Sequence, residues 1–432
     1  MTPVRAAAAR AVAAVAAGRT LGDALDGERP RVAGADTALL QELAYGTVRH
    51  WHRLEPVLRA RLRKPLKMRD ADVRALMLVA LYELAEMRTP AHAAVDAAVE
   101  AIGALGRGKD WARGLVNGVL RGVLRDSAAL EAPADPAGAH AWPEWLAQSL
   151  QRDWPDDWSS IAASGTARPP MTLRVNETHV TRGAYLERLR AAGIGARETQ
   201  WSPVGLTLEE PVAVDRLPGF AAGDVSVQDE AAQLSVPLLA PVGDCRVLDA
   251  CAAPGGKTAH LAEWSPPPAA IVAVESDPER AQRLDSGLRR LGVAAEIVVA
   301  DAAAPGDWRQ RGPFERILLD VPCSGSGVVR RHPDIKLLRR SDDIDAFVAQ
   351  QQRLLDGVWP LLAPGGMLLY TTCSILRREN EAQISAFLQR HSGARAAAPA
   401  VSWGRVAGDG RQVLPGESGM DGFYYACLYQ PA

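Results

Sequence analysis

Two cysteines close matched, strand-like runs: Cys323 ends ERILLDVPC and Cys373 ends MLLYTTC. Each run is short, apolar and β-prone, and each leads through small or polar residues into a helical pattern. In a parallel sheet, chemistry collects at the carboxyl ends of the strands. Two thiols delivered to one sheet edge point to covalent chemistry through sulfur. A lone cysteine is more often a small buried hydrophobe. Here Asp320 and Pro322 precede one thiol, and Thr371, Thr372 and Ser374 surround the other. A purely structural cysteine needs none of these. The thiolate is the reactive form, so a free pKa near about 8.5 must be lowered or the proton removed in place.

A second motif supplies a partner for the thiols. The run CRVLDAC leads into Cys251, Ala252, Ala253, Pro254, Gly255, Gly256 and Lys257, and a helix opens next. Small residues and free helix amides let a ligand approach the backbone. A phosphate loop of the form Gly-x-x-x-x-Gly-Lys-Ser/Thr would need glycine where Cys251 stands, and Gly-x-Gly-x-x-Gly is absent. Glu275 ends the next strand, where a carboxylate can accept both ribose hydroxyls. Asp301 ends the third, within reach of an adenine amino group, and Asp320 lies near the end of the fourth. Acids at successive strand ends without a phosphate cradle suit an adenosine bearing no phosphate, and S-adenosylmethionine fits. Thiolate, acid and methyl donor together suit methylation at carbon 5 of cytosine. Addition of sulfur to C6 makes C5 nucleophilic, an acid at the N3 and amino edge stabilises the adduct, and a second thiol helps release it. The residues alone leave open which thiol attacks.

These groups must be positioned by a sheet. From about residue 241 the apolar runs CRVLDAC, AAIVAVES, AEIVVAD, ERILLDVPC and MLLYTTCS alternate with helical segments, which predicts a doubly wound parallel α/β sheet. DGFYYACLYQ adds a strand, expected antiparallel at an edge. Residues 141–240 mix helices with short strands (PMTLRVNET, GLTLEEP, DVSVQDE) and predict a small α+β module. Residues 129–140 are rich in Ala and Pro and read as a linker. Residues 1–128 read as all helix, with Val73, Leu76, Met77, Ala80, Leu81 and Leu84 at helical spacing.

Composition excludes other classes. The chain has 432 residues, 47% hydrophobic and 23% charged. Five cysteines in so long a chain argue against a disulfide scaffold and for a reducing, cytoplasmic setting. The Ala-rich start is broken by Arg10 and reads as a first helix rather than a leader. No run reaches the roughly 18 apolar residues of a membrane span. His50 and His52 have no partners at ligand spacing, so no metal is expected. Residues 1–130 carry 20 Lys and Arg against 14 Asp and Glu, and the rest 29 against 37. A basic N-terminal part on a near-neutral chain suits a polyanionic partner.

The runs DACAAPGGKT, LLDVPCSGSGVVRRHPDIK and TTCS resemble the RNA cytosine-5 methyltransferases. The resemblance implies a Rossmann-like S-adenosylmethionine methyltransferase fold. It implies that Cys373 attacks, Cys323 aids release and Asp320 binds the base, with Cys251 to Lys257, Glu275, Asp301 and Asp320 around the cofactor. GVVRRHPDIKLLRR, together with DTALLQELAYGTVRHWHRL and ARGLVNGVLR, is similar to the RsmB type, also called Sun or Fmu. That similarity spans nearly the whole chain. It implies an N-terminal NusB-like RNA-binding domain and 16S ribosomal RNA as substrate, with a monomer expected. Glu275 stands where many relatives have Asp, and both can bridge a ribose. Arg330, Arg331, His332 and Lys336 are expected to contact RNA. Two other readings make different demands. A DNA cytosine-5 enzyme, or another RNA one, would keep the chemistry, and in the DNA type Cys323 would be the essential thiol. A non-catalytic RNA-binding factor would have no reason to keep Asp320, Cys323 and Cys373 together.

Overall fold

The apolar runs that predict a parallel sheet form one. A computed structural model describes residues 3–130, 138 and 140–432. The chain folds into two units, one of residues 1–168 with 329–341 and one of residues 169–328 with 342–432. The expected linker at 129–140 falls largely outside the described residues.

The helical unit contains α1 (Val4–Ala16), α2 (Leu21–Glu28), α3 (Thr37–Arg49), α4 (Trp51–Arg61), α5 (Ala71–Glu86), α6 (Ala91–Ala101) and α7 (Ala112–Arg125). Helix α5 is buried at every position from Ala75 to Tyr82. An all-round apolar helix must sit in the centre of its bundle. Close packing there has a sequence cause: a Cβ on Gly46 of α3 would fall 1.9 Å from the Tyr82 ring. Helices 144–153 and 158–164, in the segment expected to open the α+β module, group with this unit. Trp142 and Trp158 are buried and meet edge-on at 6.1 Å.

The segment 329–341 leaves the sheet's sequence and joins this unit. Lys336 is 2% exposed. Its Nζ donates to the carbonyls of Arg49 (3.0 Å) and Ala141 (3.1 Å), over the Trp142 ring. The Leu21 amide donates to Asp334, and Arg49 donates to the Arg330 carbonyl. Burial, aided by the Arg49 charge, pushes the Lys336 amine down to about 7. Burial also lowers the neighbouring His50 to about 3, helped by the charges of Arg53, Lys336 and Arg49. Unfolded lysine titrates near about 10.4. Between the two values the unfolded chain holds a proton that the folded chain does not, so this group makes stability rise with pH. Thermal melts of the wild type and Lys336→Met should diverge from pH 7 to 8.5. The wild type gains about 1.5 kcal/mol relative to the variant. Parallel pH profiles would show that Lys336 stays charged inside.

In the second unit a four-stranded antiparallel sheet has the order β2 (Ala196–Glu198), β3 (Gly205–Leu208), β1 (Thr172–Val175), β4 (Val225–Val227). The helix 182–191 buries Tyr185 and Leu189 on it. Strand β2 was not expected, because its three residues, Ala196–Glu198, are half-buried or exposed and carry no apolar alternation. The helices 230–239 pack under the larger sheet instead, with Leu234 and Leu239 against Val247 and Leu369.

The larger sheet runs β11 (Arg405–Ala407), β12 (Gly410–Val413), β13 (Phe423–Tyr429), β9 (Leu362–Thr372), β8 (Phe314–Asp320), β5 (Arg246–Ala250), β6 (Ala270–Glu275), β7 (Glu296–Val299), with β10 (Arg395–Ala397) pairing β13. The strands from β9 to β7 pair in parallel, and β13 is antiparallel to β9. This differs from the expected edge position of β13: its far side is covered by β12 and β10. The expected long helix after residue 342 ends at Val358, because Pro360 enters a short 3-10 turn that feeds β9. Among the described residues, no helix is long and apolar enough to cross a membrane.

Candidate active site

β5 leads outward to β6 and β7, while its other neighbour β8 leads to β9 on the opposite side. The carboxyl ends of β5 and β8 therefore flank the point where the winding reverses, where open α/β sheets bind their ligands. Cys251 to Lys257 follow β5, Glu275 ends β6, Asp301 follows β7, Asp320 ends β8 and Cys323 follows it, and Cys373 follows β9. The strand pairing brings Asp320 opposite Thr371.

The two sulfurs lie 3.4 Å apart. A hydrogen bond to Cys373, with burial next, raises the Cys323 thiol well above its ordinary value. Cys323 thus holds its proton beside the other sulfur. Four donors converge on the buried side chain of Glu379 behind them. The Ser324 amide (2.8 Å) and Gln351 (3.0 Å) donate to Oε1, and the Ser324 and Ser374 hydroxyls (2.6 and 2.5 Å) donate to Oε2. Ser324 follows one cysteine and Ser374 the other, so one carboxylate ties both loops together. The Cys373 carbonyl accepts from the Gly327 amide at 2.9 Å. A Cβ at Gly327 would meet the Gly422 carbonyl oxygen at 2.2 Å, so only glycine allows this approach. Asn380 bonds Thr372 and the Ser374 carbonyl, fixing the end of β9. Sequence reasoning missed Glu379, because ENEAQ reads as the polar start of a helix and nothing local marks the carboxylate as buried.

Lys257 Nζ donates to Asp320 Oδ2 at 2.6 Å. Burial opposes the lysine charge, but the charge and hydrogen bond of Asp320 outweigh it and hold the amine above its ordinary value. In the loop, Gly255 adopts φ +102, and a Cβ there would fall 2.5 Å from Leu284. Glu275 is buried and accepts from the Ala253 and Asp277 amides. Asp301 accepts from the Ala303 amide and from Arg353 at 2.7 Å. Burial raises its carboxyl, but these bonds and the Arg353 charge prevail and hold it below the usual range. Cys251 is pushed up by burial and by the charges of Asp320, Glu275 and Asp249, so it stays a thiol.

Asp249 was not singled out from sequence. It is 1% exposed, and burial pushes its carboxyl up to about 7 although Thr258 donates to it at 2.6 Å. Its Oδ1 has no hydrogen-bond partner among the described residues. A buried orphan acceptor beside a small-residue loop and a row of strand-end acids fits S-adenosylmethionine, whose tail is cationic. Among the described residues, no cluster of three His, Cys, Asp or Glu could hold a metal ion.

The basic segment corrects one expectation. Arg330 and Lys336 are 4% and 2% exposed and secure the segment 329–341 within the helical unit, so they are not open to RNA phosphates. Arg331 is half-buried and His332 is exposed.

Comparison with known proteins agrees with this arrangement. Residues 236–429 match the family described as 16S rRNA methyltransferase RsmB/F. Residues 142–215 match the RsmF/B-like ferredoxin-like domain and residues 2–125 the NusB family. The ribosomal RNA small subunit methyltransferase B of Pseudomonas syringae pv. tomato is 48% identical, over 99% of this chain and 97% of its own. That of Vibrio cholerae is 46% identical, over 98% and 97%. Among solved structures, a methyltransferase homolog protein from Pyrococcus horikoshii is 27% identical, with a TM-score of 0.60 over 68% of this chain and 98% of that one. NSun6 from the same organism, solved with SFG, has a TM-score of 0.61 at 18% identity, over 70% of this chain and 100% of that one, and shares the fold. The chain is therefore an S-adenosylmethionine-dependent methyltransferase acting on 16S ribosomal RNA, and it belongs to the RsmB/F family.

Proposed function

We propose that the enzyme methylates carbon 5 of a cytosine in 16S ribosomal RNA through a covalent adduct on Cys373. The observation that carries this reading is the pair of sulfurs at 3.4 Å, one of them held as a thiol. S-adenosylmethionine supplies an electrophilic methyl group. Cys251 to Lys257, Glu275 and Asp301, with the orphan Oδ1 of Asp249, would hold it. Asp320 binds the N3 and amino edge of the base. Lys257 occupies its Oδ2, which leaves Oδ1 as the oxygen facing the base. Cys373 adds to C6, and the new C6–S bond directs electrons to C5. After C5 has taken the methyl group, water takes the C5 proton, the C5–H electrons close the C5=C6 bond and the C6–S electrons return to the Cys373 sulfur. Cys323, 3.4 Å away, donates its S–H to the departing Cys373 thiolate. Arg331 and His332 contact the RNA backbone near the target. The enzyme acts as a monomer in the cytoplasm, without a metal.

Cys323→Ala tests the division of labour. With S-adenosylmethionine and a 16S rRNA fragment it should accumulate a protein–RNA adduct, seen as a slow band on a denaturing gel. Wild-type enzyme should leave little of it. Normal turnover by Cys323→Ala with no adduct would reject the release role. An adduct that persists in Cys373→Ala would instead favour the DNA-type assignment, with Cys323 as nucleophile.

A further inference from the structure

A second concavity lies on the same unit, outside the cysteine site. It has a volume of about 350 Å³ and is lined by Trp201, Trp403, Arg405, Glu417, Ser418 and Met420 among others. That volume lies at the small end of the roughly 300–1,000 Å³ of ligand pockets. We infer that this pocket takes an unstacked base of the RNA strand flanking the target cytosine.

Three observations support this occupant. Two indoles line the pocket, and both are held in place. Trp201 Nε1 donates to Ser418 Oγ at 3.2 Å. Trp403 is 7% exposed, its ring meets Tyr425 edge-on at 5.2 Å, and its carbonyl accepts from Arg411 at 2.8 Å. Fixed indoles are the platforms on which single-stranded bases stack, and the stacking tolerates any base.

Second, the charge in the pocket is balanced. Arg405 pairs with Glu417, whose other oxygen accepts from the Leu414 amide at 3.1 Å. A lone guanidinium would favour a phosphate, whereas an ion pair offers donor and acceptor together, as a base edge requires. Ser418 holds φ +52, a strained conformation for a residue other than glycine, and so presents its hydroxyl to Trp201.

Third, a loop that lines the pocket is hydrogen-bonded to the catalytic loops. The Met420 carbonyl accepts from the Gly416 amide at 2.8 Å, and the Gly422 amide donates to the Gly327 carbonyl at 2.9 Å. Gly327 in turn donates to the Cys373 carbonyl. A strand that delivers one base to Cys373 has its neighbours beside this loop. An enzyme that unstacks its target base must also hold the bases next to it.

The inference rests on the RNA reading above, and its test separates the two. A 16S rRNA fragment carrying 4-thiouridine at positions flanking the target is irradiated on the full-length enzyme, and crosslinked peptides are mapped by mass spectrometry. Crosslinks are expected on the peptides holding Trp201 or Trp403. Trp201→Ala should raise KM for RNA about tenfold, with a smaller effect on kcat and none on S-adenosylmethionine affinity, and Trp201→Phe should restore most of the loss. A purely structural role would instead lower Tm and cofactor affinity together. If the Cys373 adduct forms while crosslinks map elsewhere, or if Trp201→Ala keeps the wild-type KM, the pocket assignment is overturned. Loss of the adduct with crosslinks at the pocket would sink the covalent mechanism and leave the pocket standing.

Discussion

Cys373→Ala is expected to slow methyl transfer by about a thousandfold or more, the scale seen when a covalent nucleophile is removed. C5 of cytosine cannot attack a methyl sulfonium without the electrons that a C6 adduct supplies. No other group at the site can take over. Cys323 is the neighbouring thiol, and burial, which the substitution leaves in place, still raises it. Cys251 stays a thiol under the charges of Asp320, Glu275 and Asp249. The substitution should leave the rest intact. Cys373 is half-buried, its carbonyl bond to Gly327 comes from the backbone, and the cofactor loop follows a different strand. S-adenosylmethionine affinity by calorimetry should stay within about twofold of wild type, and Tm should shift by no more than a few degrees. The double variant Cys323→Ala/Cys373→Ala should form no adduct, although Cys323→Ala alone does. Single-turnover transfer from methyl-labelled cofactor reads the rate directly. An active Cys373→Ala beside an inactive Cys323→Ala would exchange the two roles, and activity in both would end the covalent mechanism.

The parts of this site that sequence could reveal are those encoded by local pattern. Cys323 and Cys373 each close a β-prone run, so their arrival at one sheet edge was readable from period and composition. Their contact was not. It depends on β8 and β9 being neighbours with Asp320 opposite Thr371, which is a long-range pairing choice. The strand-end acids followed the same logic, and Asp301 and Glu275 do lie at carboxyl ends. Asp249 was passed over because burial, not residue type, makes its oxygen matter. The basic segment shows the opposite error. Arg330 and Lys336 look like a phosphate grip because charged side chains are normally exposed. Carbonyls of Arg49 and Ala141, far away in sequence, enclose Lys336 instead, and no local signal announces them. The helical bundle was legible from its 3.6-residue period, while β2, β11 and β12 were not. Each is too short to show alternation, although Gly408 and Asp409 between β11 and β12 carry the chemistry of a tight hairpin turn.

Glu379 makes the second large prediction, and it concerns position rather than bond-making. It is fully buried, and its two oxygens receive donors from both cysteine loops and from Gln351. Glu379→Gln would turn one acceptor into a donor facing donors that have nowhere else to go. Each buried bond to a charged group is worth about 1.5–3 kcal/mol. The variant should therefore lose stability, and the serine loops should separate even while the protein remains folded. Cys323 and Cys373 precede the two serines, so the 3.4 Å sulfur contact should open. A misplacement of about 1 Å at a reacting group costs roughly a hundredfold in rate. We expect kcat to fall by about that factor at a temperature well below the variant's Tm. Affinity for S-adenosylmethionine should hold, because the loop from Cys251 to Lys257 makes no bond to Glu379. A merely structural role would weaken cofactor binding in parallel with Tm. The two effects separate further in the adduct assay. With Cys323→Ala in the background, Glu379→Gln should slow the appearance of the Cys373 adduct rather than its decay, because the clamp sets where the attacking sulfur stands before any bond forms. A folded Glu379→Gln enzyme with wild-type kcat would show that the two loops hold their spacing without the carboxylate.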